Sequence, residues 1–193
     1  PKEFVALGHL LHDLRLYKSR AELSLLREAA AIAIRAHRAA WQVALPGSRE
    51  YEIEAELLKV MRGQGAVPSF VPTVAAGANA CTMHYQGGRS VLHQGDLLLV
   101  DAGAEWECYA SDICRTIPVS GRFSGEQRAL YELVLAAQQA AIAEVRPGRA
   151  FAAAHETAVQ VLVEGLCVLE LLRGDPGEIV AAGGYRRFFP AKT

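Results

Sequence analysis

The sequence has little cysteine, no basic block and no long apolar run, and each absence narrows what it can be. Its four cysteines among 193 residues, Cys81, Cys108, Cys114 and Cys167, form no C-x-x-C and none is followed by histidine at zinc-finger spacing. That pattern argues against a structural zinc site and reads as reduced thiols in a cytoplasmic protein. The formal net charge is −1 at pH 7, with 20 Lys+Arg against 21 Asp+Glu. Such a balance predicts no nucleic-acid partner and no membrane-surface partner. The most alanine-rich stretch, Ala29 to Ala40, is broken by Arg35, His37 and Arg38, so no apolar run reaches membrane-spanning length. Pro1 to Leu11 lacks the basic region and cleavage site of a signal peptide. No G-x-G-x-x-G follows a strand-like run, and neither a P-loop nor a G-x-S-x-G is present. Nucleotide binding and serine hydrolysis are therefore poor readings. What is there, 51% hydrophobic and 21% charged residues with 17 glycines and 8 prolines, is globular and long enough to bury a sizeable core.

Residues 1–18 read as a connector from a missing amino-terminal domain rather than an element with its own core. Ser19-Arg20-Ala21-Glu22 is a capping-box pattern that opens a helix, with Leu23, Leu26, Ala30, Ile34, His37 and Trp41 as one stripe. Pro46-Gly47 stops it. A second helix runs from Ser48 through Ile53, Leu57 and Val60 to the glycines at 63 and 65. Residues 67–76 and 96–119, rich in Val, Leu, Ile, Tyr and Thr, read as strands. Ser124-Gly125-Glu126-Gln127 caps another helix, with Leu130, Val134, Ala137, Ala141 and Val145 on one face. Pro147-Gly148 ends it, and a last long helix carrying Phe151, His155, Ala158, Leu162 and Leu169 ends near Gly174. Helices, then strands, then helices predict an α+β fold rather than an alternating parallel sheet.

The chemistry concentrates in Leu97-Leu98-Leu99-Val100-Asp101-Ala102-Gly103 and Tyr109-Ala110-Ser111-Asp112-Ile113-Cys114-Arg115-Thr116. Aspartate is disfavoured within strands, yet Asp101 closes one apolar run and Asp112 opens the next. A hairpin turning near Trp106-Glu107 would pair residue 101 with 112, 103 with 110 and 105 with 108, placing both carboxylates on one face. Two carboxylates that close need a cation or a shared proton, and a divalent metal pair fits. Spacing alone leaves a second reading open, in which both are strand-end residues facing water. His84 lies in a polar, glycine-flanked stretch and stands between a surface residue and a catalyst. His37 and His155 read as core or boundary packing, His9, His12 and His93 carry no functional assignment, and Glu105 and Glu107 read as solvated.

Together these segments, with Asn79-Ala80-Cys81-Thr82-Met83-His84-Tyr85 before them and Ile117-Pro118-Val119 after, resemble the Xaa-Pro aminopeptidases (aminopeptidase P). These are pita-bread metallopeptidases, alongside prolidase, creatinase and methionine aminopeptidase. The similarity runs in order from about His12 to Pro190. Arg15-Leu16-Tyr17-Lys18-Ser19 resembles the entry to the catalytic domain, and Tyr185-Arg186-Arg187-Phe188-Phe189 the approach to a further metal ligand. The resemblance implies a pita-bread (creatinase/aminopeptidase-like) fold, mainly its first half plus part of the second, with residues 19–193 as a partial catalytic domain. It implies a metallo-exopeptidase with two Mn²⁺ ions, Asp101 bidentate to one and Asp112 bridging both. His84 would face the scissile peptide or tetrahedral intermediate, and the substrate would be a peptide with proline at the second position.

The sequence departs from the family after Pro190, where it reads Ala191-Lys192-Thr193 in place of a segment leading to a ligand histidine. The late His and both late Glu ligands are missing, so the chain is expected to be a truncated piece of the pattern. Its metal binding should be weak or absent and the chain inactive alone. The alternative is a non-catalytic pita-bread-like module that binds peptides or a partner; an unrelated α+β domain is the remaining reading. An uncovered apolar sheet face, Leu97 to Val100 with Ile113 to Val119, further predicts a homodimer or larger assembly. Exchange of the helix after Pro147-Gly148 would be one route to it.

Overall fold

The computed structural model describes residues 7–189. Residues 1–6 of the expected connector, and Pro190 to Thr193, where a departure from the family is expected, lie outside the described residues. The chain divides into two compact units, Pro1–Arg122 and Phe123–Thr193.

In the first unit, α1 (Gly8–Leu16) falls within the stretch read as a connector, and its Leu11, Leu14 and Leu16 are exposed. Helix α2 (Arg20–Val43) starts where the capping box predicts. Glu22 N–H donates to Ser19 Oγ at 3.3 Å, and Ser19 N–H donates to Glu22 Oε2 at 2.6 Å. Its buried face differs from the expected stripe. Ala29, Ile32, Ala33, Ala36, His37 and Ala40 are buried, whereas Leu23 and Ile34 are exposed. The alanines win because a face of small side chains lets the helix lie close against the strands beneath it. Helix α3 (Glu50–Gly63) buries Glu50, Ile53, Leu57 and Met61 along one stripe.

Six strands follow: β1 (Val67–Pro68), β2 (Thr73–Ala76), β3 (Leu97–Ala102), β4 (Ala104–Trp106), β5 (Tyr109–Ala110) and β6 (Ile113–Pro118). They form two antiparallel sheets of order β2-β3-β6 and β1-β4-β5. One register runs through both, with Asp101 opposite Cys114 and Glu105 opposite Ala110. The expected pairing of 101 with 112 is therefore wrong by two residues. The turn sits one residue later, on Glu107 and Cys108, with φ of 50° and 66°. Two left-handed residues make a primed turn, whose twist suits a two-residue hairpin even without Asn-Gly. A slip of two preserves the face of every side chain. Along β3, Leu98, Val100 and Ala102 are fully buried in the core with Ile32, Ile53, Leu57 and Met61, while Leu97, Leu99 and Asp101 occupy the other face.

The hairpin is broken between β3 and β4 at Gly103. A Cβ there would lie 1.8 Å from the Ser111 carbonyl oxygen and 2.4 Å from Ser69 Oγ. Ser69 N–H donates to Gly103 O at 3.0 Å and Ser69 Oγ donates to Ser111 O at 2.8 Å. Ser111 Oγ accepts from Ala104 N–H at 3.0 Å and reaches Ala29 O of α2 at 3.1 Å.

The second unit contains α4 (Gly125–Glu144), α5 (Phe151–Val168), α6 (Pro176–Ala182) and a 3-10 turn, Gly184–Arg187. Ser124 and Gln127 form the expected capping box. Val159, Val163, Leu166, Leu172 and Tyr185 make its core with Leu133, Ile179, Val180 and Phe189. Three expectations fail here. On α4, Ala137 is buried, whereas Leu130 and Val134, and Val145 just past its end, are exposed. The last helix ends at Val168 and α6 follows, capped by Asp175 Oδ1, which accepts from Glu178 N–H at 3.0 Å. Phe151 is 99% exposed and His155 is exposed, so His155 is not a packing residue. Gly165 sits where a Cβ would meet Leu133 Cδ1 at 2.1 Å, so α5 packs through the face around it. Helix α5 is also long and apolar enough to cross a membrane by length and composition, which the sequence reading had excluded. It carries Glu156 and Glu164, and its Val159, Val163 and Leu166 are core residues of the unit.

Replacing Gly103 by Ala should cost the first unit about 3 kcal/mol, because both neighbours of the new methyl are hydrogen-bonded backbone or side chain. Trp41 and Trp106, the two tryptophans, lie in this unit, so fluorescence-detected urea unfolding reads the change. A Gly103→Ala midpoint equal to that of the parent chain would contradict the close packing.

Candidate metal centre

Asp101 is the penultimate residue of β3, and Asp112 occupies the gap between β5 and β6. The backbone around Ser111 holds the gap open, so Asp112 stays on the Asp101 face without being a strand residue. Asp101 is half-buried, while Asp112 and Cys114 are exposed. Burial raises the Asp101 pKa above its ordinary value of 3.8, and the charge of Asp112 and a hydrogen bond with it raise it further. A nearby His84 acts in the opposite sense. The structure thus brings Asp101 and Asp112 together, with His84 in electrostatic reach. Cys114, directly across the ladder from Asp101, is exposed as a residue, yet crowding around its sulfur first, and then the two aspartates, push its thiol up to about 11.

His84 is exposed and adopts a left-handed backbone, φ 51°, in the loop after the 3-10 turn Gly77–Cys81. The residue that organises this loop is Glu50, which sequence reasoning missed. Its carboxylate, 0% exposed, accepts from Ala76 N–H at 2.8 Å and Asn79 Nδ2 at 3.0 Å on one oxygen. The other oxygen accepts from Tyr85 Oη and Ser90 N–H, both at 3.1 Å. A signal was present: Glu50 heads the apolar stripe Ile53, Leu57 and Met61, and a charge on a buried stripe calls for partners.

His37 behaves as expected. It is 2% exposed, with Nε2 3.1 Å from Ala102 O, and burial holds its pKa below the ordinary value. His12, His93 and Glu107 are exposed. All four cysteines are free. Among the described residues, no group of three or more His, Cys, Asp or Glu side chains is arranged to hold a metal ion. The donor set that could take part is the aspartate pair. Two adjoining carboxylates, one of them held above its ordinary range by burial and then by the other, suit a divalent cation, whose charge relieves the repulsion.

The profile of metallopeptidase family M24 matches residues 24–193. The chain belongs to this family. Among M24 relatives, it is 40% identical over 181 residues to the Xaa-Pro aminopeptidase of Haemophilus influenzae, covering 93% of this chain and 42% of that protein. The corresponding Escherichia coli enzyme is 38% identical over 181 residues, covering 93% and 41%. The structure of Pseudomonas aeruginosa aminopeptidase PepP superposes with a TM-score of 0.94 at 51% identity, over 97% of this chain and 42% of that one. Zn-substituted E. coli aminopeptidase P in complex with product superposes at 0.92 with 36% identity, over 97% and 43%. The pita-bread fold implied by the sequence is thus the fold of this M24 chain, which spans about two-fifths of the length of the curated relatives it matches.

The raised Asp101 pKa has a signed consequence for stability. Between the ordinary value of 3.8 and the raised one, the folded chain binds more protons than the unfolded chain. Stability contributed by this group is therefore lost as pH rises through that window. Asp101→Asn should raise the Tm of the metal-free chain at pH 7, and the advantage should fade as pH falls to about 3.8. Differential scanning fluorimetry with chelator across this range checks it. A lower Tm for the variant at pH 7 would refute the upward shift.

Proposed function

We propose that this M24 chain carries part of a divalent-metal-dependent Xaa-Pro aminopeptidase site, with Asp101 and Asp112 as metal ligands and His84 on the substrate side. The observation that carries this reading is the approach of the two carboxylates on the sheet face opposite the core, with His84 in electrostatic reach of Asp101. The proposed substrate is a peptide with proline at the second position, the proposed metal manganese, and the proposed location the cytoplasm, in keeping with four free thiols. When bound, the metal pair supplies Lewis-acid polarisation of the peptide carbonyl and activation of water. Asp101, fixed by the ladder, and Asp112, set beside it by the Ser111 junction, hold the cation. His84 offers a ring nitrogen to the peptide group that binds against it.

Two aspartates supply too few donors for tight or selective binding. The 193-residue polypeptide should therefore bind Mn²⁺ in the micromolar range or weaker by calorimetry, lose that binding in Asp112→Asn, and release no amino-terminal residue from Xaa-Pro tripeptides. Sub-micromolar Mn²⁺ affinity, or hydrolysis abolished by Asp112→Asn, would show that this chain holds a complete site. Peptide binding indifferent to Mn²⁺ and to both aspartates would instead favour a non-catalytic recognition module.

Self-association is the second part of the proposal, though not through the sheet face expected to lack a cover: Leu98, Val100 and Val119 are buried, and Leu97, Leu99, Ile113 and Ile117 are half-buried. Val134, Ile142, Val145, Phe151 and Val168 in the helical unit are all more than half exposed, at 57%, 62%, 75%, 99% and 82%. These exposed apolar side chains are the candidates for contact between copies of the chain. Light scattering after size exclusion should give a dimer or larger species at tens of micromolar. A stable monomer that binds no hydrophobic dye would overturn it.

A further inference from the structure

The loop that bears His84 has no strand or helix of its own between Cys81 and Ser90, so something else must hold it. Its two ends are tied to one element, the amino-terminus of α3. Residues 88–92 run alongside residues 47–51: Leu92 N–H donates to Ser48 O at 2.8 Å, Glu50 N–H to Ser90 O at 3.1 Å, and Tyr51 N–H to Gly88 O at 2.9 Å. Arg49 forms a bridge with Val91, and its Nη1 donates to Arg89 O at 3.1 Å. These bonds occupy the helix N–H groups that would otherwise lack partners.

Inside that clasp the Glu50 carboxylate collects donors from the end of β2 (Ala76), the 3-10 turn (Asn79) and the far side of the loop (Tyr85, Ser90). Asn79 Nδ2 also reaches Tyr85 Oη at 3.0 Å and Ser90 Oγ at 2.9 Å, so the donors are bound to one another as well. The two hydrogens of the Asn79 amide are shared among three acceptors, and Tyr85 Oη gives its own hydrogen to the Glu50 carboxylate, which can only accept. The Tyr85 ring folds back over Gly87, where a Cβ would lie 2.0 Å from Oη. His84 is thus next to one of the four donors. All four are uncharged, and the positive end of the α3 dipole faces the same carboxylate.

We propose that Glu50 is a positioning residue for His84: its buried carboxylate closes the 76–90 loop and thereby sets His84 against the Asp101–Asp112 pair. The proposal deepens the reading of the metal centre and rests on it for the role of His84, but the closure of the loop is a separate claim. A carboxylate is required because each oxygen takes two donors. An amide in its place would turn an NH₂ towards two N–H or O–H groups and release one side of the loop.

The test uses the whole 193-residue polypeptide, isotope-labelled, as parent, Glu50→Gln and Tyr85→Phe. Tyr85→Phe removes one donor and leaves the carboxylate, so it keeps the test readable should Glu50→Gln fail to fold. Two readouts are taken. Amide exchange at Ala76 and Ser90 should accelerate about tenfold or more in Glu50→Gln and by a smaller factor in Tyr85→Phe, with β3 and β6 amides unchanged. Substoichiometric Mn²⁺ should broaden both the His84 ring protons and the Cys114 amide in the parent chain. In the variants the His84 broadening should drop while that of Cys114 persists, a signature that a merely destabilised chain would not give. Unchanged loop exchange and unchanged His84 broadening in both variants would overturn the proposal. Exchange that accelerates without any loss of His84 broadening would also overturn it, because the loop would then open without moving His84. If Mn²⁺ broadens neither group in the parent, the metal reading fails, and loop exchange in the variants still decides whether Glu50 closes the loop.

Discussion

The structure of the first unit depends on one close approach, that of the Gly103 backbone to Ser111. Here the hairpin must pass under α2, and no side chain fits between them. Ser111 reaches the Ala29 carbonyl of α2 and accepts from Ala104 N–H, while Ser69 closes the other side. Because α2 presents alanines to the strands, the helix can come near enough for these bonds to form. The same junction interrupts the ladder between β3 and β4 and sets Asp112 outside the regular strand. A hairpin without that interruption would carry Asp112 as one more pleated residue.

Two carboxylate environments in this unit show how burial and partners separate structure from chemistry. Glu50 is fully buried and fully satisfied by four donors, the arrangement that makes an interior charge tolerable. Asp101 is half-buried, and burial, followed by the charge of a second carboxylate, Asp112, pushes its pKa upward. The first is complete in itself. The second invites a cation, and groups held in such tension concentrate at functional sites. His84 links the two, since the loop anchored by Glu50 is the one that brings it toward Asp101.

Several elements were legible in the sequence because their causes are local. The capping boxes at Ser19 and Ser124 involve residues three apart, and both form. The change of texture near residue 67 marks the strands correctly. The aspartate pair was visible as two charges bordering apolar runs, and sharing a face survived a register error because a shift of two does not change sides. Helix faces were less legible. On α2 the long side chains suggested one stripe, while the buried stripe consists largely of alanine; on α4 and α5, Val134, Val145 and Phe151 looked like core and are exposed. Hydrophobicity ranks residues by size, whereas a helix close to a sheet is chosen by smallness.

Family membership, the α+β element order and the identity of the residues flanking the candidate site can be read along the chain. These follow from motifs and patterns within a few residues of one another. Tertiary structure alone decided the turn at Glu107 and Cys108, the exposure of His155 and the role of Glu50. Glu50 meets its donors 26 to 40 residues further along the chain. A hydrogen bond over that separation leaves no periodic trace in sequence, because its partners are ordinary polar and backbone groups until folding brings them to one buried carboxylate.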